Sequence, residues 1–129
     1  MWELNNSLPT ARSVRKGGLK MAFPGKPMFI SEYGTDFTGY THDGSAEELG
    51  IHHSIWAPAL SGATGITQWW WWNTIDEFDL YHHYNHLGIF IGNIPCLECK
   101  SLDLKSNQPK VLAVGLGTPD TAWLWVHNT

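Results

Sequence analysis

Lys26-Pro27-Met28-Phe29-Ile30-Ser31-Glu32-Tyr33-Gly34 sets polar chemistry directly behind a short apolar run. Met28-Phe29-Ile30 is continuous rather than alternating, which marks a strand covered on both faces, as in a parallel sheet. The Pro- and Gly-containing residues 23–27 before it read as a loop. Glu32 then falls at the C-terminal end of the strand, where catalytic groups gather in parallel α/β folds. A glutamate at such a place finds a partner or faces a wet cleft, because burying a lone carboxylate is costly. Pairing with a lysine or a backbone amide fits that position as well as catalysis does, so position alone leaves both readings open.

Outward from this strand the elements alternate. Asn6-Ser7 supplies helix-capping residues and Pro9 suits a first turn. Val14, Leu19, Met21 and Ala22 give an apolar face to a predicted helix over residues 11–22. Ser45-Ala46-Glu47-Glu48 opens a second helix, with carboxylates placed where the helix dipole favours them. Leu49, His52, His53, Trp56, Leu60 and Ala63 continue it at helical spacing, and residues 61–65 end it. Ile66-Thr67-Gln68-Trp69-Trp70-Trp71-Trp72 reads as the next strand. Helix, strand, helix and strand in succession predict a parallel sheet with right-handed crossovers. Side chains alternate along a strand, so Trp70 and Trp72 share one face and Trp69 and Trp71 the other. Beyond it, residues 73–79 read as an acidic loop. Residues 80–91 read as a helix with Tyr84, Leu87 and Ile91 inward, and residues 92–110 as a polar boundary. Residues 110–116 and 122–128 read as two strands around Gly117-Thr118-Pro119-Asp120, a hairpin belonging to a separate β domain.

Composition narrows the function classes. Eight basic residues stand against 12 acidic ones, a net charge of −4, which argues against a nucleic-acid or anionic-membrane partner. The one basic knot, Arg12, Arg15, Lys16 and Lys20, has the spacing of a solvated helix face. No apolar run reaches the roughly 18 residues of a membrane span, and the first residues lack the pattern of a signal peptide. Eight tryptophans are unusual, and flat indole faces suit stacking on sugar rings.

Residues 26–34 resemble the seventh strand of the (β/α)₈ retaining glycoside hydrolases of the cellulase and mannanase clan, where the nucleophile glutamate ends the strand. Residues 54–73, with Trp56, Ser61-Gly62, Gly65 and the tryptophan run, are similar to that clan's seventh helix and eighth strand. The two motifs stand in the right order, one βα unit of about 30 residues apart. The resemblance implies an α/β fold: the C-terminal part of a TIM barrel over residues 1–92, followed by the start of a small β-sandwich-like domain over residues 93–129. It implies hydrolysis of O-glycosidic bonds in a β-linked poly- or oligosaccharide by double displacement, with Glu32 as nucleophile and no cofactor. A second carboxyl about 5–5.5 Å away would act as acid/base. Tyr33, Trp70, Trp72 and Asn73 would bind the sugar, Trp70 and Trp72 being the sugar-facing pair by the family pattern. Secretion is implied by the resemblance alone.

Glu3 is no substitute for the acid/base, because it precedes Glu32 by one βα unit where the clan requires three. Residues 1–6 fit the end of a sixth strand better. The expectation is therefore an inactive piece that needs the N-terminal half of its barrel. Asp36, Asp43, Asp76, Glu77 and Asp79 read as solvated loop carboxylates that could also meet sugar hydroxyls. His82 and His86, with Cys96 and Cys99, could build a tetrahedral zinc site. The reversed order of the pairs and the single Cys-x-x-C make a disulfide or two plain thiols the favoured reading, with no metal. His52, His53 and His83 read as helix-surface or core-edge residues. The alternative to an enzyme is a non-catalytic carbohydrate-binding protein that uses the tryptophan platform.

Overall fold

The computed structural model describes residues 27, 29–34, 44–63 and 68–128. The expected helix over residues 11–22, the strand end at residues 1–6 with Glu3, the basic knot, and Asp36 and Asp43 lie outside the described residues. So do residues 64–67, which include the start of the expected second strand.

Among the described residues the chain forms three helices, α1 (Gly44–Leu60), α2 (Trp72–Glu77) and α3 (Tyr81–Ile91). Three strands follow, β1 (Lys100–Ser101), β2 (Val111–Gly117) and β3 (Ala122–Asn128), as one antiparallel sheet in the order β1-β2-β3. This overturns the expected α/β barrel fold. Between the described residues of the two predicted strands parallel pairing amounts to one bridge, Tyr33 with Trp69. Phe29 is 68% exposed, so the apolar run is not a buried strand. The physical reason is that parallel strands are stable when ladders and helices cover them on every side. Among the described residues no further strand flanks this pair, and the end of the tryptophan run winds into α2 instead. The acidic residues 73–77 accordingly lie on a helix rather than in a loop.

Among the described residues helix α1 lies between two apolar clusters. One face places Ile51, Ile55 and Ala59 in a cluster with Trp69, Leu80 and Leu87. Another places Ala57 and Leu60 in a cluster with Ile94, Val114, Leu116 and Trp125. Trp56 packs against both clusters. Burial on two sides also shifts the phase of the helix from the predicted one: Leu49 is 43% exposed, whereas Ile51 and Ile55 are wholly buried. A helix apolar nearly all round belongs inside. It stops at Gly62, whose φ of 89° is a left-handed conformation. The Ala63 amide then reaches back to the Pro58 carbonyl, as a glycine-terminated helix end requires. The Ser101 hydroxyl donates to the Ser61 carbonyl at 2.9 Å, tying β1 to this end of the helix.

The hairpin forms where the sequence placed it. Thr118-Pro119-Asp120-Thr121 closes it, with the Thr118 amide donating to the Thr121 carbonyl and the Thr121 amide to the Thr118 hydroxyl. Along β3 burial alternates: Trp123, Trp125 and His127 turn inward, while Leu124 and Val126 face out. Gly115 must be glycine, since a Cβ there would stand 2.8 Å from the Trp123 carbonyl oxygen. The hairpin packs on α1, so the described residues on both sides of the predicted boundary at 92 share a core.

Candidate functional site

The Tyr33–Trp69 bridge, small as it is, assembles a cleft. The Tyr33 amide donates to the Gln68 carbonyl at 3.0 Å, and the Trp70 amide donates to the Tyr33 carbonyl at 2.7 Å. These bonds hold residues 29–34 against the tryptophan run. Gly34 permits the approach: a Cβ there would stand 3.2 Å from the Trp70 Cβ. The result is a hollow of about 370 Å³ lined by Glu32, Gln68, Trp70, Trp71, Trp72 and Asn73. Its size is that of a small-molecule site. Trp69 is fully buried, Trp71 half-buried, Trp70 52% exposed and Trp72 69% exposed, in a run that forms one bridge and then a helix rather than a strand. Trp70 and Trp72 thus turn toward solvent beside the exposed Glu32, although Trp72 and Asn73 now sit at the start of α2.

Tyr33 goes elsewhere. Its ring lies 6.0 Å from the Trp69 ring and packs against the α1 cluster, so it braces the site from behind. Asp76, Glu77 and Asp79 do not line the hollow. Asp76 instead accepts a hydrogen bond from the Tyr81 hydroxyl at 3.2 Å.

Under the cleft lies a residue that sequence reading assigned only to the helix dipole. Glu47, fully buried, accepts the Trp69 indole N–H at 2.9 Å. That N–H also points at the Thr74 hydroxyl, 3.2 Å away. Thr74 Oγ1 stands 3.1 Å from Glu47 Oε2 and 2.7 Å from the Trp71 carbonyl, and gives its single proton to one of them. A carboxylate from the first turn of α1 therefore fixes the indole on which the bridge is built. The signal available in sequence was the tryptophan run itself, because a buried indole N–H needs an acceptor.

A second cluster runs across the other face of α1. The rings of His86, His82, His83, His52, His53 and His127 follow one another with centroid separations of 5.8, 4.1, 5.6, 5.6 and 4.5 Å. The row ends on Trp125, stacked on His127 at 5.6 Å. Six of the seven histidines are in it. Burial, reinforced by His127 and His52, holds the His53 pKa down at about 4. Burial also lowers His83 and His52. His82 and His83 both face Glu48 Oε1, at 3.7 and 3.5 Å from their Nε2 atoms. Helix α3 thus turns these two histidines toward α1 and Glu48. Cys96 and Cys99 are free thiols after α3, Cys96 exposed and Cys99 packed against the hairpin core.

No protein family, curated protein or solved structure matches the chain.

Proposed function

We propose that the cleft binds a carbohydrate and that Glu32 is the nucleophile of a retaining glycoside hydrolase acting on a β-linked poly- or oligosaccharide. The observation that supports this reading is the meeting of an exposed carboxylate with Trp70, Trp71, Trp72 and Asn73 in one hollow. Indole faces stack on the apolar side of a pyranose, and amide groups such as those of Asn73 and Gln68 suit its hydroxyls. Glu32 would attack the anomeric carbon and form a glycosyl-enzyme, with the aglycone leaving on its oxygen. Water would then release the sugar with its original anomeric configuration. Both steps use a second carboxyl, first as acid and then as base. Glu32 is the sole carboxylate among the described residues of the hollow, so that group comes from outside the lining described here.

The same fact favours a second reading, a carbohydrate-binding site without chemistry. An activated 2-fluoro glycoside separates the two, because a dinitrophenolate leaves without a general acid and needs the nucleophile alone. Intact-mass and peptide analysis should find the sugar esterified to Glu32, with no adduct in Glu32→Gln. Ordinary oligosaccharides should quench tryptophan fluorescence but remain uncut by the purified chain. Quenching without any adduct supports the binding-only reading. No adduct and no quenching overturns both.

A further inference from the structure

We infer a second site on this protein, for a divalent cation of the zinc class, held by Glu48 of α1 and by His82 and His83 of α3. It shares no residue with the cleft. One carboxylate oxygen and two imidazole nitrogens lie within 4.8 Å of one another. The separations of Glu48 Oε1 from His82 Nε2 and His83 Nε2, 3.7 and 3.5 Å, are long for charge-assisted hydrogen bonds, which run at about 2.7–2.9 Å. They suit a metal better. Ligands about 2.0–2.2 Å from a tetrahedral zinc stand roughly 3.3–3.5 Å apart. His83 Nε2 is sealed from solvent, its residue only 8% exposed, and it faces Glu48 Oε1 at 3.5 Å, beyond ordinary hydrogen-bond length. A buried imidazole nitrogen that meets a carboxylate at this separation has the geometry of a metal ligand.

The tautomer of His82 is also set for coordination. Its Nδ1 lies 3.1 Å from the Asp79 carbonyl, which can only accept, so Nδ1 carries the proton. In the neutral ring that leaves Nε2, which faces Glu48 Oε1 at 3.7 Å, as the nitrogen with the lone pair. A backbone carbonyl behind a metal-binding imidazole is the usual outer partner of such ligands. Glu48 and His82 keep side-chain exposures of 51% and 46%, so the fourth position opens to water. Two histidines and a glutamate with an open fourth place form the donor set of a hydrolytic zinc centre. This is a different assembly from the His82, His86, Cys96 and Cys99 site that spacing suggested.

Titration of the untagged full chain with zinc chloride, followed calorimetrically, tests the inference. About one equivalent should bind. Glu48→Gln and His82→Gln change exposed side chains and keep the fold, and each should weaken binding by more than about tenfold, the scale of an outer-partner loss. The pair Cys96→Ser and Cys99→Ser, and separately His86→Gln, should leave it unchanged. Cobalt in place of zinc should show ligand-field bands without a thiolate charge-transfer band. Absence of binding, binding indifferent to Glu48→Gln, or binding lost with the cysteines would overturn the site.

Discussion

Trp70 and Trp72 at the cleft and Trp123 and Trp125 on the hairpin have the same spacing, two indoles separated by one residue, yet opposite fates. Trp125 is 6% exposed and sits in the core against α1, whereas Trp72 is 69% exposed. The difference lies in what each segment pairs with. β2 and β3 share seven register pairs, closed by a four-residue loop that brings partners together locally. Among the described residues the cleft segments share one bridge, across more than thirty intervening positions. An antiparallel hairpin carries its partner with it, whereas a parallel pair depends on crossovers and neighbouring strands. The same residue therefore serves as core in one place and as open surface in the other.

Removing an indole from each side should break the symmetry of sequence most sharply. Trp125→Ala should destabilise the fold by about 3–5 kcal/mol in urea denaturation, as core aromatic truncations do. An effect below about 1 kcal/mol would mean that the hairpin does not rest on α1. Next in size is Glu47→Ala, which strips the buried acceptor from Trp69 and Thr74. It should cost about 2–3 kcal/mol, and near-ultraviolet circular dichroism should report the loosened indole.

On the hairpin side the His53 contact can be titrated. Its folded pKa, about 4, lies below the ordinary 6.5, so between these values the unfolded chain takes up a proton that the folded one does not. Stability should therefore be full above pH 6.5, fall as pH drops toward 4 and level off below that, by at most about 3 kcal/mol. His53→Leu should flatten that part of the profile. The smallest stability effect should come from Trp70→Ala, within about 0.5 kcal/mol for an exposed side chain. The same change should weaken saccharide quenching by about tenfold, since an aromatic contact is worth roughly 0.5–1.5 kcal/mol beyond its buried area. Unaltered sugar affinity would remove the indoles from the site.

Particular residues show where sequence reading succeeded. The hairpin was legible because its alternation, its Pro-Asp turn and its strand lengths all lie within residues 110–128. Helix α3 was legible from Tyr84, Leu87 and Ile91. In the cleft, Glu32, Trp70, Trp72 and Asn73 line one hollow, but Trp71 lines it too and Trp72 is helical, so a two-residue strand period does not account for the arrangement. The barrel was not formed, and Tyr33 and the acidic residues after the tryptophan run took other places. Met28-Phe29-Ile30 has the composition of a buried strand, but composition does not supply the strands that would bury it. The reading of α1 placed His53, Trp56 and Leu60 on a packed face but put Leu49 there too and missed Ile51 and Ile55, because with cores on two sides no single polar face exists to set the period.

From the chain alone came local matters, namely the positions of α1, α3 and the hairpin turn and the candidacy of Glu32, whereas α2 was read as a strand end and a loop. These depend on periods and backbone preferences that act over a few neighbouring residues. Tertiary structure alone decided that Glu47 would be buried beneath Trp69, that six histidines from α1, α3 and β3 would stand in one row, and that Glu48 would face His82 and His83. Each of those meetings joins residues far apart in sequence, and only the packing of α1 between its two cores brings them within reach.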